Sequence, residues 1–184
     1  MNYIFVDSEY IDRVVFNISV QLERMLGRQV PRADLPCWLE CVALDGGVHS
    51  DENETHVAII HEKETTAFRN FAPADFEKEL NGKAFKSYLG EFSVACYPVE
   101  EIVTKSELIC EMIKQVGQDE KTERVMVTVN MDEYGNEIKD VVQHIAGKDV
   151  TILDMSPIMG RGFNQENLGF SVMAALGIKG SELK

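Results

Sequence analysis

The sequence predicts a three-layer α/β fold: a mostly parallel sheet of about six strands, an antiparallel edge hairpin and helices on both faces. Three observations predict it. Short apolar runs alternate along the chain with longer stretches whose apolar residues recur every three or four positions. The runs at 3–6, 124–129 and 150–153 show almost no polar alternation, the pattern of strands buried on both faces. Each of these runs ends in a turn that carries acid: Asp7-Ser8-Glu9, Asn130-Met131-Asp132-Glu133 and Asp154-Met155-Ser156.

The opening strand covers 3–6. Ile11, Val14, Val15, Ile18, Leu22, Met25 and Leu26 then form one helical stripe. Asp7 or Ser8 can cap its start, and Gly27 sits where a left-handed stop belongs. Pro31 and Pro36 hold the next segment extended. Segments 37–44 and 56–62 read as strands. The polar, acidic stretch 45–55 between them reads as the mobile tip of an antiparallel hairpin, with its second strand at the sheet edge. Residues 65–90 carry the weakest pattern. Pro73 there can open a helix bearing Phe76 and Leu80, closed by Asn81-Gly82.

A strand at 92–97 is stopped by Pro98. Thr104-Lys105-Ser106-Glu107 matches the capping box that opens a helix, which then carries Leu108, Ile109, Met112, Ile113 and Val116 and ends at Gly117. After the strand at 124–129, Ile138, Val141, Val142 and Ile145 mark a helix that Gly147 ends. The last core strand, 150–153, leads through a glycine-bearing loop to a helix over 164–176, with Asn164 as its cap. No repeat or linker interrupts the chain. Residues 1–180 read as a single α/β domain and 181–184 as a loose C-terminal tail.

Composition narrows the classes of function. Eighteen basic residues face thirty-one acidic ones, a net charge of −13 over 184 residues. Such a surface repels phosphate backbones and anionic lipid. The densest basic stretch, Lys78, Lys83 and Lys86, is interleaved with Asp75, Glu77 and Glu79, so no basic track exists and no extended nucleic acid is expected. None of the four cysteines forms a CxxC pair. They read as small buried hydrophobes in a reducing compartment. The amino-terminal residues have no signal-peptide pattern, and no apolar run approaches the roughly 20 residues of a membrane span. The expectation is a cytoplasmic protein that does not enter a membrane.

Parallel strands bring their carboxyl ends to one rim, where ligands of open α/β sheets bind. Asp7, Asp132 and Asp154 therefore become candidate ligands for magnesium or manganese, which take one or two carboxylates beside water and substrate phosphate. Each is equally a helix cap or solvated turn residue. A second candidate is the loop before the last helix, where Arg161 stands between Gly160 and Gly162 and Asn164 follows. A cation ahead of a helix amino terminus can receive an anion, although the spacing matches neither the P-loop nor the dinucleotide fingerprint. Ile158 and Met159 in the same loop fit a surface that packs on a partner. His49, Asp51, Glu52 and Glu54 sit in the polar tip and read as solvated. His56 and His61 are an odd number apart on one strand and face opposite ways.

An acid closing the first strand, further acids after later strands and a parallel sheet resemble the PIN/NYN-like metal-dependent ribonucleases. The likeness rests on Asp7, with Asp132 and Asp154. It implies carboxylate-bound metals that activate water against a phosphodiester. The net charge and missing basic track oppose an RNA substrate.

Three functional expectations follow. The leading one is a non-catalytic binding or self-associating α/β module. The second is a metal-dependent phosphoesterase built on Asp7, Asp132 and Asp154. The third is a nucleotide or small-anion binding module built on the Gly160 to Asn164 loop.

Overall fold

The computed structural model describes residues 1–183. Strand β1 (Asn2–Asp7) lies mid-sheet, with Ile4 and Val6 on one face and Phe5 on the other, all buried. Helix α1 (Ser8–Leu26) follows at once. The Asp7 carboxylate accepts from the Tyr10 amide at its start, and Gly27 adopts φ 66° at its end and donates to the Glu23 carbonyl. Both signals are legible in the sequence.

After a two-residue strand, β2 (Ala33–Asp34), the chain enters helix α2 (Leu35–Asp45). This corrects the strand expected over 37–44. Pro36 sits in the first turn of α2, where its missing N–H costs nothing, and Asp34 caps the helix by accepting from the Cys37 amide at 3.1 Å. Leu35, Trp38, Leu39, Val42 and Ala43 form the buried face. The helical period was present but carried by residues that also favour strands.

Strand β3 (Glu54–Glu62) consequently has no hairpin partner in α2. It runs parallel to β1, Asn2 opposite Thr55 through Asp7 opposite Ile60, and is interior rather than an edge. The antiparallel hairpin lies elsewhere, between β5 (Lys83–Ser87) and β6 (Gly90–Val99). Between β3 and β5 come β4 (Phe71–Ala72), paired with β2, and a π-helical turn over Phe76–Leu80. That turn is all that forms of the helix expected from Pro73. Strand β6 continues through Pro98. Its neighbour β5 ends level with Val94, so no partner on that side needs the missing N–H.

Helix α3 (Lys105–Gln118), strand β7 (Arg124–Thr128), helix α4 (Met131–Gln143) and strand β8 (Asp149–Asp154) follow as the periodicity predicts. The last expected helix is shorter. Residues 164–167 form β9 (Asn164–Asn167), parallel to β8, and α5 covers only Leu168–Ala175. Asn164 is thus a strand residue, and Asn167 is the cap. The polar, exposed β9 suits a sheet edge. Gly180–Leu183 form a 3₁₀ turn, where Arg28 donates to the Glu182 carboxylate at 2.6 Å. The last residue of the 181–184 tail expected from the sequence lies outside the described residues.

The sheet order is β5-β6-β3-β1-β7-β8-β9, parallel except for β5. Helices α1, α2 and α5 cover one face and α3 and α4 the other, each over its own buried core. The Trp38 indole donates to Ser171 at 3.2 Å and ties α2 to α5 inside the first core. The chain winds outward from β1 through β3 and β6, then crosses back to β7, β8 and β9. The winding reverses between β1 and β7, the topological switch point of a doubly wound sheet. Asp7, Glu62 and Asp154 all end strands on that rim.

Candidate functional site

Asp7 occupies the switch point and is only 1 % exposed. A carboxylate so buried must be paired or hydrogen-bonded. One oxygen, Oδ1, takes the Lys105 ammonium at 2.9 Å and the Tyr10 amide at 3.3 Å. The other, Oδ2, accepts from the Tyr134 hydroxyl at 2.5 Å. Tyr134 itself sits at a kink in the first turns of α4, with φ −136° and ψ 31°.

Lys105 is the first residue of α3, where the helix dipole opposes a cation. What holds it there is a pair of carboxylates: Asp7 at 2.9 Å and Glu9 at 3.0 Å, with Glu62 at 4.0 Å. Burial pulls the ammonium's pKa down, but Asp7 and Glu9 outweigh burial and the net shift is upward. Burial likewise pushes the Glu9 carboxyl up. The Ser8 hydroxyl, the Lys105 charge and the Glu62 amide reverse that, and its pKa falls. Both groups are ionised at neutral pH.

The second part of the network centres on Tyr10, whose hydroxyl donates to Asp154 Oδ1 at 2.8 Å. Burial raises the Tyr10 pKa most, followed by the bond to Asp154 and by the charges of Asp154, Asp132 and Asp7. Of the three acids singled out in the sequence, Asp154 is the one that bonds this phenol. Asp132 contributes from the exposed first turn of α4, after Asn130, which caps that helix by accepting from the Glu133 amide.

Among the described residues, no group of three or more His, Cys, Asp or Glu side chains is arranged to hold a metal ion. Both oxygens of Asp7 are already engaged, and so is one of Asp154. The donor set as arranged does not fit a two-metal centre. The cation beside Asp7 is the Lys105 ammonium, which it shares with Glu9.

The anion loop is also rearranged. The Ile158 amide donates to Gln165 Oε1 at 2.7 Å, and the Gln165 amide returns a bond to the Ile158 carbonyl, pinning the loop to β9. Ile158 is buried, whereas Met159 is 84 % exposed. Helix α5 begins beyond β9, and the Asn167 side chain takes its Gly169 amide at 2.7 Å. Gly160, Arg161 and Gly162 therefore do not abut a helix amino terminus, which removes the dipole argument for an anion at Asn164.

His56 stacks on Tyr3 on one sheet face. His61 stacks on Phe76 on the other, as their odd spacing requires.

A family model described as "Family of unknown function (DUF6621)" matches residues 1–183. The chain belongs to that family. Comparison with curated proteins and with solved structures finds no match. No helix among the described residues of this DUF6621 chain is long and apolar enough to cross a membrane.

Sequence reasoning reached Asp7 and Asp154 but missed Lys105, Tyr10 and Tyr134. Lys105 read only as a member of a capping box, although a cation in the first turn of a helix is itself a signal. Tyr10 stands one residue before Ile11 of the first helical stripe, and Tyr134 directly follows Asp132-Glu133. Nothing local marks their hydroxyls as partners of distant acids.

Proposed function

We propose that this DUF6621 protein is a non-catalytic α/β binding module. One observation carries the reading: the Lys105 ammonium bridges Asp7 and Glu9 at the switch point while Tyr134 closes the far oxygen of Asp7. A hydrolase of this layout needs carboxylates open to a cation. Here Asp7, the most buried of them, already holds an internal cation. A partner protein or a second copy is supported by Met155 and Met159, which stand exposed beside the pinned loop. Four free thiols, none in a disulfide, support a reducing, cytoplasmic setting.

The rival reading, a metal-dependent phosphoesterase, draws on Asp7 and Asp154 at strand ends of the same rim, with Asp132 in the first turn of α4. Thermal melting in millimolar magnesium or manganese separates the two. Binding to the folded state alone raises the midpoint by mass action. An unchanged midpoint and no hydrolysis of p-nitrophenyl phosphate or bis(p-nitrophenyl) phosphate is the expected result. A metal-dependent rise that disappears in Asp7→Asn and Asp154→Asn would overturn the module reading. Light scattering tests self-association directly.

A further inference from the structure

Beside the network, on the α1 side of the rim, lies a cleft of about 560 Å³ between the first turns of α1 and the segment after β3. That volume falls in the range of small-molecule sites, roughly 300–1,000 Å³. Its base is aromatic: Phe68 and Phe76 are buried there and meet edge to face with centroids 5.1 Å apart. Phe16 stands among its lining residues and is 54 % exposed, an aromatic face left without cover.

Two arginines line the same cleft, Arg13 from α1 and Arg69 from the segment after β3. Neither forms an ion pair among the described residues, in a chain where acids outnumber bases. The nearby acids are already engaged. Asp12 accepts from the Arg69 and Asn70 amides, both at 2.9 Å. Glu9 accepts from the Ser8 hydroxyl, the Glu62 amide and Lys105. The arginines are the groups left over.

We infer that this cleft binds a mononucleotide, with its base stacked on Phe16 and its phosphate held by Arg13 and Arg69. The planar arginine fork matches phosphate oxygens, and an open aromatic face matches a base. The net charge of −13 favours a single phosphate over a polyanion, whose remaining phosphates would lie across acidic surface. The inference rests on the binding-module reading and names its ligand.

The test is calorimetric titration and thermal melting with each of the four common ribonucleoside monophosphates, with adenosine and inorganic phosphate as fragments. At least one mononucleotide should bind and raise the midpoint, with each fragment much weaker. Arg13→Ala and Arg69→Ala should each weaken binding roughly tenfold to a hundredfold, and Phe16→Ala should weaken it for the nucleotide but not for phosphate. All three side chains are exposed, so the ligand-free midpoint should hold. No binding by any mononucleotide, or full binding by the Arg13→Ala/Arg69→Ala double variant, would overturn the site and leave the module reading standing. Chromatography of the incubated nucleotide separates the two claims. Unchanged nucleotide supports both, whereas binding with turnover keeps the site and overturns the module.

Discussion

A single lysine decides what the rim of this sheet can do. Lys105 stands against the dipole of its own helix, a cost of about 0.3–1 kcal/mol that two carboxylates offset. Lys105→Met removes the charge but keeps much of the stem, and leaves Asp7 buried without its cation. The expected loss is about 3 kcal/mol, at the low end for breaking a buried pair because the Lys105 side chain is 16 % exposed. Chemical denaturation at neutral and acid pH would check it. The deficit should shrink as the pH falls, because the Glu9 carboxyl, whose pKa Lys105 helps to lower, then loses its charge in the unaltered protein as well. A deficit that does not change with pH would contradict the pairing. Asp45 supplies the opposite sign. Burial and the Glu166 charge raise its pKa from 3.8 to about 6, so the folded state holds its proton longer than the unfolded one. Its contribution is fully present below about pH 4 and is lost as the pH rises through about 6. Asp45→Asn should therefore raise the melting midpoint at pH 7 and leave it unchanged near pH 3, the gain being modest because the group is only part-buried. Of the site residues, Asp7 was legible because position alone marks it, at the end of the first strand and the start of the first helix. Lys105 was not, because its partner lies 98 residues away.

At the level of elements, periodicity located α1, α3, α4 and the strands β1, β7 and β8, because each has one dominant apolar pattern. It failed at α2, where Cys, Trp and Val are strand formers that a helix tolerates once Pro36 and Asp34 have started it. That one change moved β3 from the sheet edge to its interior and shifted the hairpin to β5 and β6. It failed again at 164–167, where a polar run that reads as a helix start pairs as an edge strand. Gly117 shows how elements constrain each other. The sequence marks it as a stop, yet it lies inside α3, where an added Cβ would stand 2.7 Å from Ile145 just beyond α4. Gly117→Ala should gain up to about 1 kcal/mol of helix propensity and lose about 1–3 kcal/mol to overpacking. The expected net effect is a lower denaturation midpoint. Gly117→Ala combined with Ile145→Ala, which opens the space, should recover part of the loss attributable to the clash.

Over the whole molecule, the unbalanced charge acts as a diffuse opposing force. At −13 the folded chain repels itself, and salt screens that repulsion over a Debye length of roughly 10 Å at 0.1 M. The melting midpoint should rise as sodium chloride is added. A falling midpoint would mean that the Lys105 pairs and other bridges outweigh the self-repulsion. The sequence by itself determined the layered α/β architecture, the shared rim and the acids placed on it. Apolar period and strand-end residues are local quantities, and parallel connection follows from their alternation. Only the tertiary structure decided that Asp7 meets Lys105 and Tyr134, that Asp154 meets Tyr10, and that two arginines line one cleft with Phe68 and Phe76. Such pairings join residues up to 144 positions apart, and no local pattern records which distant side chain will arrive.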